Sequence, residues 1–280
     1  MISEDALRKI DRWVRNWGLD FAIIVTRDIV DYFTDVARAT DRVEMGGILL
    51  GKLWVNHATF YIYHDFVQVR NVSSTPESAY TPDPNSEIEI IRMVREGRYD
   101  ILAMMHTHPD DSAFSVADLV SLRTFRVYVP PALRSRLPPD LVTERGASQG
   151  AYPEFLVADG ESPTLYCYTY DLPFYFAAIE DGRIIYSSWS GNLVEVAPEY
   201  YRHLERCIEE GVVKIRWPID FVREILHLTH FVEVPIKELE RRLSPEIVAE
   251  EKGEEEGERR LIEEMKERMK REIERRLRQL

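Results

Sequence analysis

Tyr99-Asp100-Ile101-Leu102-Ala103-Met104-Met105-His106-Thr107-His108-Pro109 is the stretch on which the fold turns. Its apolar run predicts a buried strand over 99–105, entered after Gly97 and ended by Pro109. Successive side chains on a strand point to opposite faces, so His106 and His108 leave its end on the same side. Ten residues beyond His108 stands Asp118, three after Ser115, at the start of a helix predicted over about 115–125. Two imidazoles and a carboxylate supply the three protein ligands of a catalytic zinc and leave a fourth position for water. Taken singly each piece has a plainer reading: the two histidines as polar residues at a strand end, and Ser115-x-x-Asp118 as a capping box.

Working outward, Glu44-Met45-Gly46-Gly47-Ile48-Leu49-Leu50-Gly51 opens a strand predicted over 45–54. A second, over 59–69, alternates Phe60 and Ile62 against Tyr61 and Tyr63, and the two should pair. Glu44 thus stands at the mouth of a strand. A water activated by a metal needs a base, and an acid on a neighbouring strand, outside the ligand set, can take its proton and pass it to a leaving amine. Glu44 is the best candidate for that base.

The remaining pattern alternates helices and strands. Ser3 caps an amphipathic helix with Leu7, Ile10, Val14 and Trp17 on one stripe, stopped by Gly18. A strand over 21–26 and a helix over 28–39 follow. Residues 72–84 read as a loop, and Asn85 and Ser86 as caps of a helix carrying Ile88, Ile91 and Val94. Residues 129–153, with five prolines, read as a long irregular insertion, a functional lid or a mobile segment rather than a simple connector. Strands over 154–158 and 164–170 close the pattern. Beyond about 196 the texture is helical, with candidates at 198–210 and 219–231. From Ser244 a charged helix is expected, its apolar residues Ile262, Met265, Met269, Ile273, Leu277 and Leu280 forming one narrow stripe. It reads as a solvated helix docked on its own body, with a coiled-coil or partner-binding helix as the alternative.

The expected architecture is therefore α/β (α+β): an N-terminal helix (1–20), a main domain (21–195) with its insertion (129–153), a helical region (196–243) and a charged helix (244–280). The 280 residues are 45% apolar and 30% charged, which excludes wholesale disorder. With 36 Lys and Arg against 49 Asp and Glu, the net charge is -13, and a nucleic-acid partner is not expected. Acids and bases nearly cancel after residue 250, so the acidity belongs to the body. Two cysteines, Cys167 and Cys207, allow no disulfide framework and fit a reducing compartment. The charged first twenty residues do not fit a secretory signal, no apolar run approaches the ~20 residues of a membrane helix, and a cytoplasmic location is expected.

The order Glu44, His106-x-His108-Pro109, Ser115-x-x-Asp118, with the Gly-Gly-Ile-Leu-Leu-Gly strand between, resembles the JAMM (MPN+) zinc metalloproteases, over about residues 21–171. The resemblance implies a central mixed β-sheet flanked by helices. It implies one Zn2+ per chain held by His106, His108 and Asp118, with Glu44 as general base and Ser115 helping to hold the oxyanion. The family usually has seven residues between the second histidine and the serine, often ending in proline; here there are six, ending in Phe114, so Ser112 is an alternative to Ser115. The activity implied is hydrolysis after the C-terminal tail of a ubiquitin-like modifier, and the partners are that modifier or its protein conjugates. The loops 72–84 and 129–153 are candidate groove walls. Two alternatives stand beside it: a non-catalytic assembly-type MPN scaffold in a homo- or hetero-oligomer joined through the C-terminal helix, and a peptidase that processes a sulfur-carrier protein.

Other candidate ligands have plainer readings. His227 and His230 are read within one helix as core or interface histidines. His203 and Cys207 share a helix face at i, i+4 but lack a third ligand. His57 and His64 are read as strand residues without a role, and Cys167 as a small core residue.

Overall fold

A computed structural model describes residues 2–39, 42–110, 112–124 and 153–241. The chain divides into two units, 1–238 and 239–280, and of the second only residues 239–241 are described. The predicted insertion up to residue 152 and the predicted charged helix over 244–280 lie outside the described residues.

Helix α1 (Glu4–Asn16) starts at Ser3, whose hydroxyl accepts from the Ala6 N–H, and its buried stripe includes Ile10 and Val14. Strand β1 (Phe21–Thr26) and helix α2 (Arg27–Ala39) follow without a break. The predicted pair becomes β2 (Gly46–Val55) and β3 (Thr59–Val69), antiparallel, joined by a turn that carries His57, so His57 is not a strand residue. Helix α3 (Pro84–Arg95) is capped by Asp83 rather than by Asn85 or Ser86: the Asp83 carboxylate accepts from the Asn85 N–H, and Pro84 takes the first helical position, where no N–H is needed. Then come β4 (Ile101–His108), α4 (Val116–Thr124), β5 (Glu154–Ala158) and β6 (Thr164–Tyr170).

The region after 170 departs from expectation. Two strands, β7 (Tyr175–Glu180) and β8 (Arg183–Trp189), form a hairpin on the Asp181-Gly182 turn, and both turn residues have positive φ. A short β9 (Gly191–Asn192) and helices α5 (Leu193–Val196), α6 (Pro198–Glu209) and α7 (Ile219–Leu228) lead to β10 (Thr229–Pro235) and α8 (Ile236–Arg241). The region 196–243 is thus not purely helical. Thr229-His230-Phe231-Val232 continues the apolar stripe of α7 and reads as one more helical turn; the β-branched and aromatic residues instead add a strand to the edge of β6, antiparallel, with Phe231 opposite Tyr168.

The ten strands form one mixed sheet in the order β8-β7-β1-β3-β2-β4-β5-β6-β10-β9. Only Ser190 separates β8, at one edge, from β9, at the other, so the sheet curls until its edges meet. Ser190 N–H donates to the Phe174 carbonyl and Phe174 N–H to the Ser190 hydroxyl, each at 2.8 Å, which carries the β7–β8 ladder one residue further into this link. Strand β1 is apolar throughout because both its faces are covered: Ala22 and Ile24 pack with Ile10 and Val14 of α1, while Phe21 meets Tyr61 and Phe174. Helix α3 packs Ile90 and Val94 against Ile48, Leu50 and Leu102. Helices α4, α6 and α7 share a core with Leu156, Tyr168 and Phe231. Among the described residues no helix is long and apolar enough to cross a membrane.

Candidate metal centre

The end of β4 behaves as the alternation requires: His106 and His108 face one way and are buried, 4% and 6% exposed. Thr107, facing the other way, fastens the strand to the entry of β2. Its N–H donates to the Met45 carbonyl at 2.7 Å and its hydroxyl accepts from the Met45 N–H at 3.0 Å. That pairing carries Glu44 beside the histidines, with Oε1 3.9 Å from His108 Nε2.

The loop before α3 closes over the same spot. Asn71 uses its whole side chain on it: Nδ2 donates to the carbonyls of Glu44 and Ala79, and Oδ1 accepts from the N–H groups of Ser73 and Thr81. So held, the Tyr80 backbone bonds the Glu44 carboxylate, and the Tyr80 ring lies parallel to His106 at 6.2 Å. Gly46 makes room for this: a Cβ there would stand 2.6 Å from both the Tyr80 ring and the Met105 carbonyl.

Asp118 arrives from the first turn of α4. Its carboxylate oxygens lie 3.6 Å from His106 Nε2 and 3.7 Å from His108 Nε2, and the two Nε2 atoms are 3.2 Å apart. The six-residue loop between His108 and Ser115 therefore suffices to bring Asp118 to both imidazoles. Glu44, His106 and His108 alone already form a buried cluster, ligand atoms within 4.8 Å of one another, that could hold a metal ion.

The other face of His108 fixes which nitrogen faces the cluster. Its Nδ1 is 3.0 Å from the Ser112 carbonyl, which can only accept, so Nδ1 carries the proton and Nε2 presents a lone pair. The Ser112 hydroxyl sits equally close to Nδ1 and donates to Asp110. Ser112 thus spends its proton on Asp110, which is not what an oxyanion donor does. Ser115 is arranged differently: its N–H donates to Asp118 Oδ2 at 2.6 Å, and its hydroxyl accepts from the Asp118 N–H at 3.3 Å. This is the reciprocal capping box, and it leaves the Ser115 hydroxyl proton free to be donated.

Burial sets the electrostatics. It pushes His106 down to about 4, so this imidazole is neutral at neutral pH and able to ligate. Burial first, then repulsion from Asp118 and Asp110, raises Glu44 to about 7, against the lowering hydrogen bond from Tyr80. One acid that the sequence reading passed over shares this field. Glu154, at the head of the buried strand β5, accepts from Ser121 and Tyr168 and is raised to about 8 by burial and by the charge of Asp118. A charge opening an otherwise apolar strand was its one sequence signal.

The remaining candidates stay apart. His203 Nε2 lies 3.7 Å from Cys207 Sγ on α6. His227, in α7, meets the Tyr201 hydroxyl at 3.0 Å, whereas His230 belongs to β10, not to the helix. His64 is exposed on β3 near Tyr99, and Cys167 is buried in β6.

Residues 26–135 match the family model for prokaryotic homologs of the JAB domain. This protein carries a JAB (JAMM/MPN) domain of the prokaryotic type. The matched span holds Glu44, His106, His108, Ser115 and Asp118; β5 to β10 and the helices among them lie beyond it. No curated protein matches the chain. The solution structure of a protein from Desulfitobacterium hafniense is similar over 57% of this chain and 94% of that one, at 12% identity and a TM-score of 0.40. The JAB family includes metalloisopeptidases as well as inactive members, so activity has to be argued from the residues present.

Proposed function

We propose that this chain is a zinc-dependent isopeptidase or peptidase that hydrolyses the bond after the C-terminal tail of a ubiquitin-like modifier. One observation carries the reading: the spacing of the His106, His108 and Asp118 donor atoms, at 3.2, 3.6 and 3.7 Å. Ligands about 2.0–2.1 Å from a tetrahedral zinc stand roughly 3.3 Å apart, so these three atoms are spaced as edges of such a site. His108 Nε2 presents a lone pair here, and a metal ion between the two imidazoles would take a second from His106 Nε2 in its matching tautomer. Nitrogen and carboxylate donors fit zinc, and His106, His108 and Asp118 would hold it. The longer 3.9 Å separation of Glu44 from His108 suits a group outside the ligand set.

Zinc bound there supplies Lewis acidity, acidifying a water molecule and polarising the scissile carbonyl. The rest falls to side chains. Glu44, poised near neutrality, takes the water's proton and returns it to the departing amine. The free proton of Ser115 is available to the oxyanion as charge develops on the carbonyl oxygen. Asp110 and Ser112 keep His108 in its ligating tautomer. An extended modifier tail can add to a strand edge and lie across these groups. A basic-faced modifier suits the net charge of -13, and its binding should weaken as salt rises.

The test uses full-length protein loaded with Zn2+, ubiquitin-like fusions from its own source, a chelator control and Glu44→Gln. Zinc near one per chain, with cleavage abolished by chelator and cut about 10²–10⁴-fold in Glu44→Gln, supports the mechanism. A folded protein that takes up no zinc sinks it.

A further inference from the structure

A cavity of about 470 Å³ is lined in part by Ser112, whose carbonyl meets His108 Nδ1. Its near end is Ser112, the residue that holds His108, and its floor is Phe114, one position before Ser115. Tyr166, Leu204, Val213 and Phe231 form walls, so the lining is chiefly apolar and aromatic. The floor is rigid: the Phe114 ring stacks on Tyr168 at 4.8 Å and meets Tyr200 and Phe231 edge-on at 5.3 and 5.7 Å. Apart from the segment 112–114, the lining residues among those described fall between 166 and 233, beyond the span matched by the JAB model. Phe114 itself ends the shortened ligand loop. Most of the lining thus comes from outside the matched span, and Ser112 links it to His108.

Resting on the peptidase reading above, we propose that this cavity receives a large apolar side chain, of leucine or phenylalanine size, from the substrate polypeptide beside the scissile bond. Its volume lies in the range of roughly 300–1,000 Å³ typical of ligand pockets. That admits one such side chain with some flanking backbone and excludes a folded partner. The continuity with the metal centre names the occupant: a polypeptide whose side chain rests on Phe114 passes Ser112 and Ser115, and so runs alongside His108 and Asp118. Aromatic and aliphatic walls reward apolar area; His203, Cys207 and Glu233 also line the cavity, but the apolar share of its surface is the larger.

The test measures binding, so it does not depend on turnover. Full-length Glu44→Gln protein loaded with Zn2+ is titrated calorimetrically with short peptides identical except at one position, which is leucine, phenylalanine, alanine or aspartate. Leucine and phenylalanine peptides should bind at least about tenfold more tightly than the alanine peptide, the discrimination an apolar pocket gives for a few methylenes. Ala197→Trp and Val213→Trp, two independent substitutions in the lining, should each erase that preference while zinc content stays near one per chain. No peptide binding, equal binding of all four, or a preference that survives both substitutions overturns the proposal. So does a switch in oligomeric state on filling the cavity, which would mean a second copy had occupied it. Preferential binding by a protein whose wild-type form cleaves nothing keeps the pocket and removes the catalytic reading, so the two failures are distinct.

Discussion

Two pairs of potential metal ligands lie on the two flanks of Phe114, and they come to different ends. His106 and His108 sit at a strand terminus, buried, with Asp118 and Glu44 delivered from a helix and a second strand. His203 and Cys207 sit at i, i+4 on α6, also in contact, His203 exposed. Among the described residues, the only cluster of three or more candidate ligands is the one that contains His106 and His108. A local pair costs a sequence little. What makes a site is the long-range pairing that brings carboxylates to it and the burial that keeps water from competing.

The comparison breaks most plainly on metal content. His108→Ala should reduce bound zinc from about one per chain to background by elemental analysis, while Cys207→Ser leaves it unchanged; zinc lost from the cysteine variant would reverse the assignment. Phe114 links the two flanks, packing on Tyr168 in the sheet and on Tyr200 in α6. Removing its ring in Phe114→Ala should cost about 3–5 kcal/mol of stability in urea unfolding, the usual price of a buried Phe.

Kinetics sharpen the role of Glu44. It accepts a proton only when ionised, and its pKa near 7 can only fall beside a cation. Hydrolysis should therefore decline about tenfold per pH unit below a limb at or under about pH 7, with no such limb in the residual rate of Glu44→Gln. A smaller effect belongs to Ser112→Ala. The Ser112 carbonyl still holds His108, so zinc affinity should fall about tenfold, the low end for such supporting residues, as read by competition with a chromophoric chelator.

The smallest concerns Glu154. Its folded pKa, about 8, is raised above the ordinary 4.5. The stability contributed by its neutral form is thus complete below about pH 4.5 and is lost as pH climbs to about 8. Glu154→Gln should melt about 2–4 °C above wild type at pH 8.5 and within about 1 °C of it at pH 5, both without metal. The same difference between variant and wild type at both pH values would show that Glu154 carries no buried charge.

Much of this was legible in the chain. The strands over 59–69, 154–158 and 164–170 fall where alternation and β-branched runs put them, and His106, His108 and Asp118 converge as strand geometry and a helix start foretold. What misled was equally physical. The apolar stripe of helix α7 carries on into strand β10, and nothing local to Leu228 and Thr229 marks the change; the free edge of β6 decides it. The strands β7 and β8 hid for a related reason: Ala177 and Ala178 are weak strand formers, held in place by the neighbouring β1. Asn71 and Tyr80 gave no signal, since a loop residue's hydrogen bonds follow from where the loop lands.

The sequence by itself determined the donor types and their direction, because the period of a strand and the cap of a helix are local properties of a few residues. It determined as well that the chain would be acidic, free of disulfides and built on alternating helices and strands. Only the tertiary structure decided that Ser112 holds His108 while Ser115 keeps a free proton. It alone closed the ten-stranded sheet at Ser190 and set a cavity on Phe114. The closure and the cavity depend on contacts between segments far apart in the chain, whose energies are settled by mutual packing; the Ser112 and Ser115 bonds are local, and the path of the folded loop selects between the two hydroxyls.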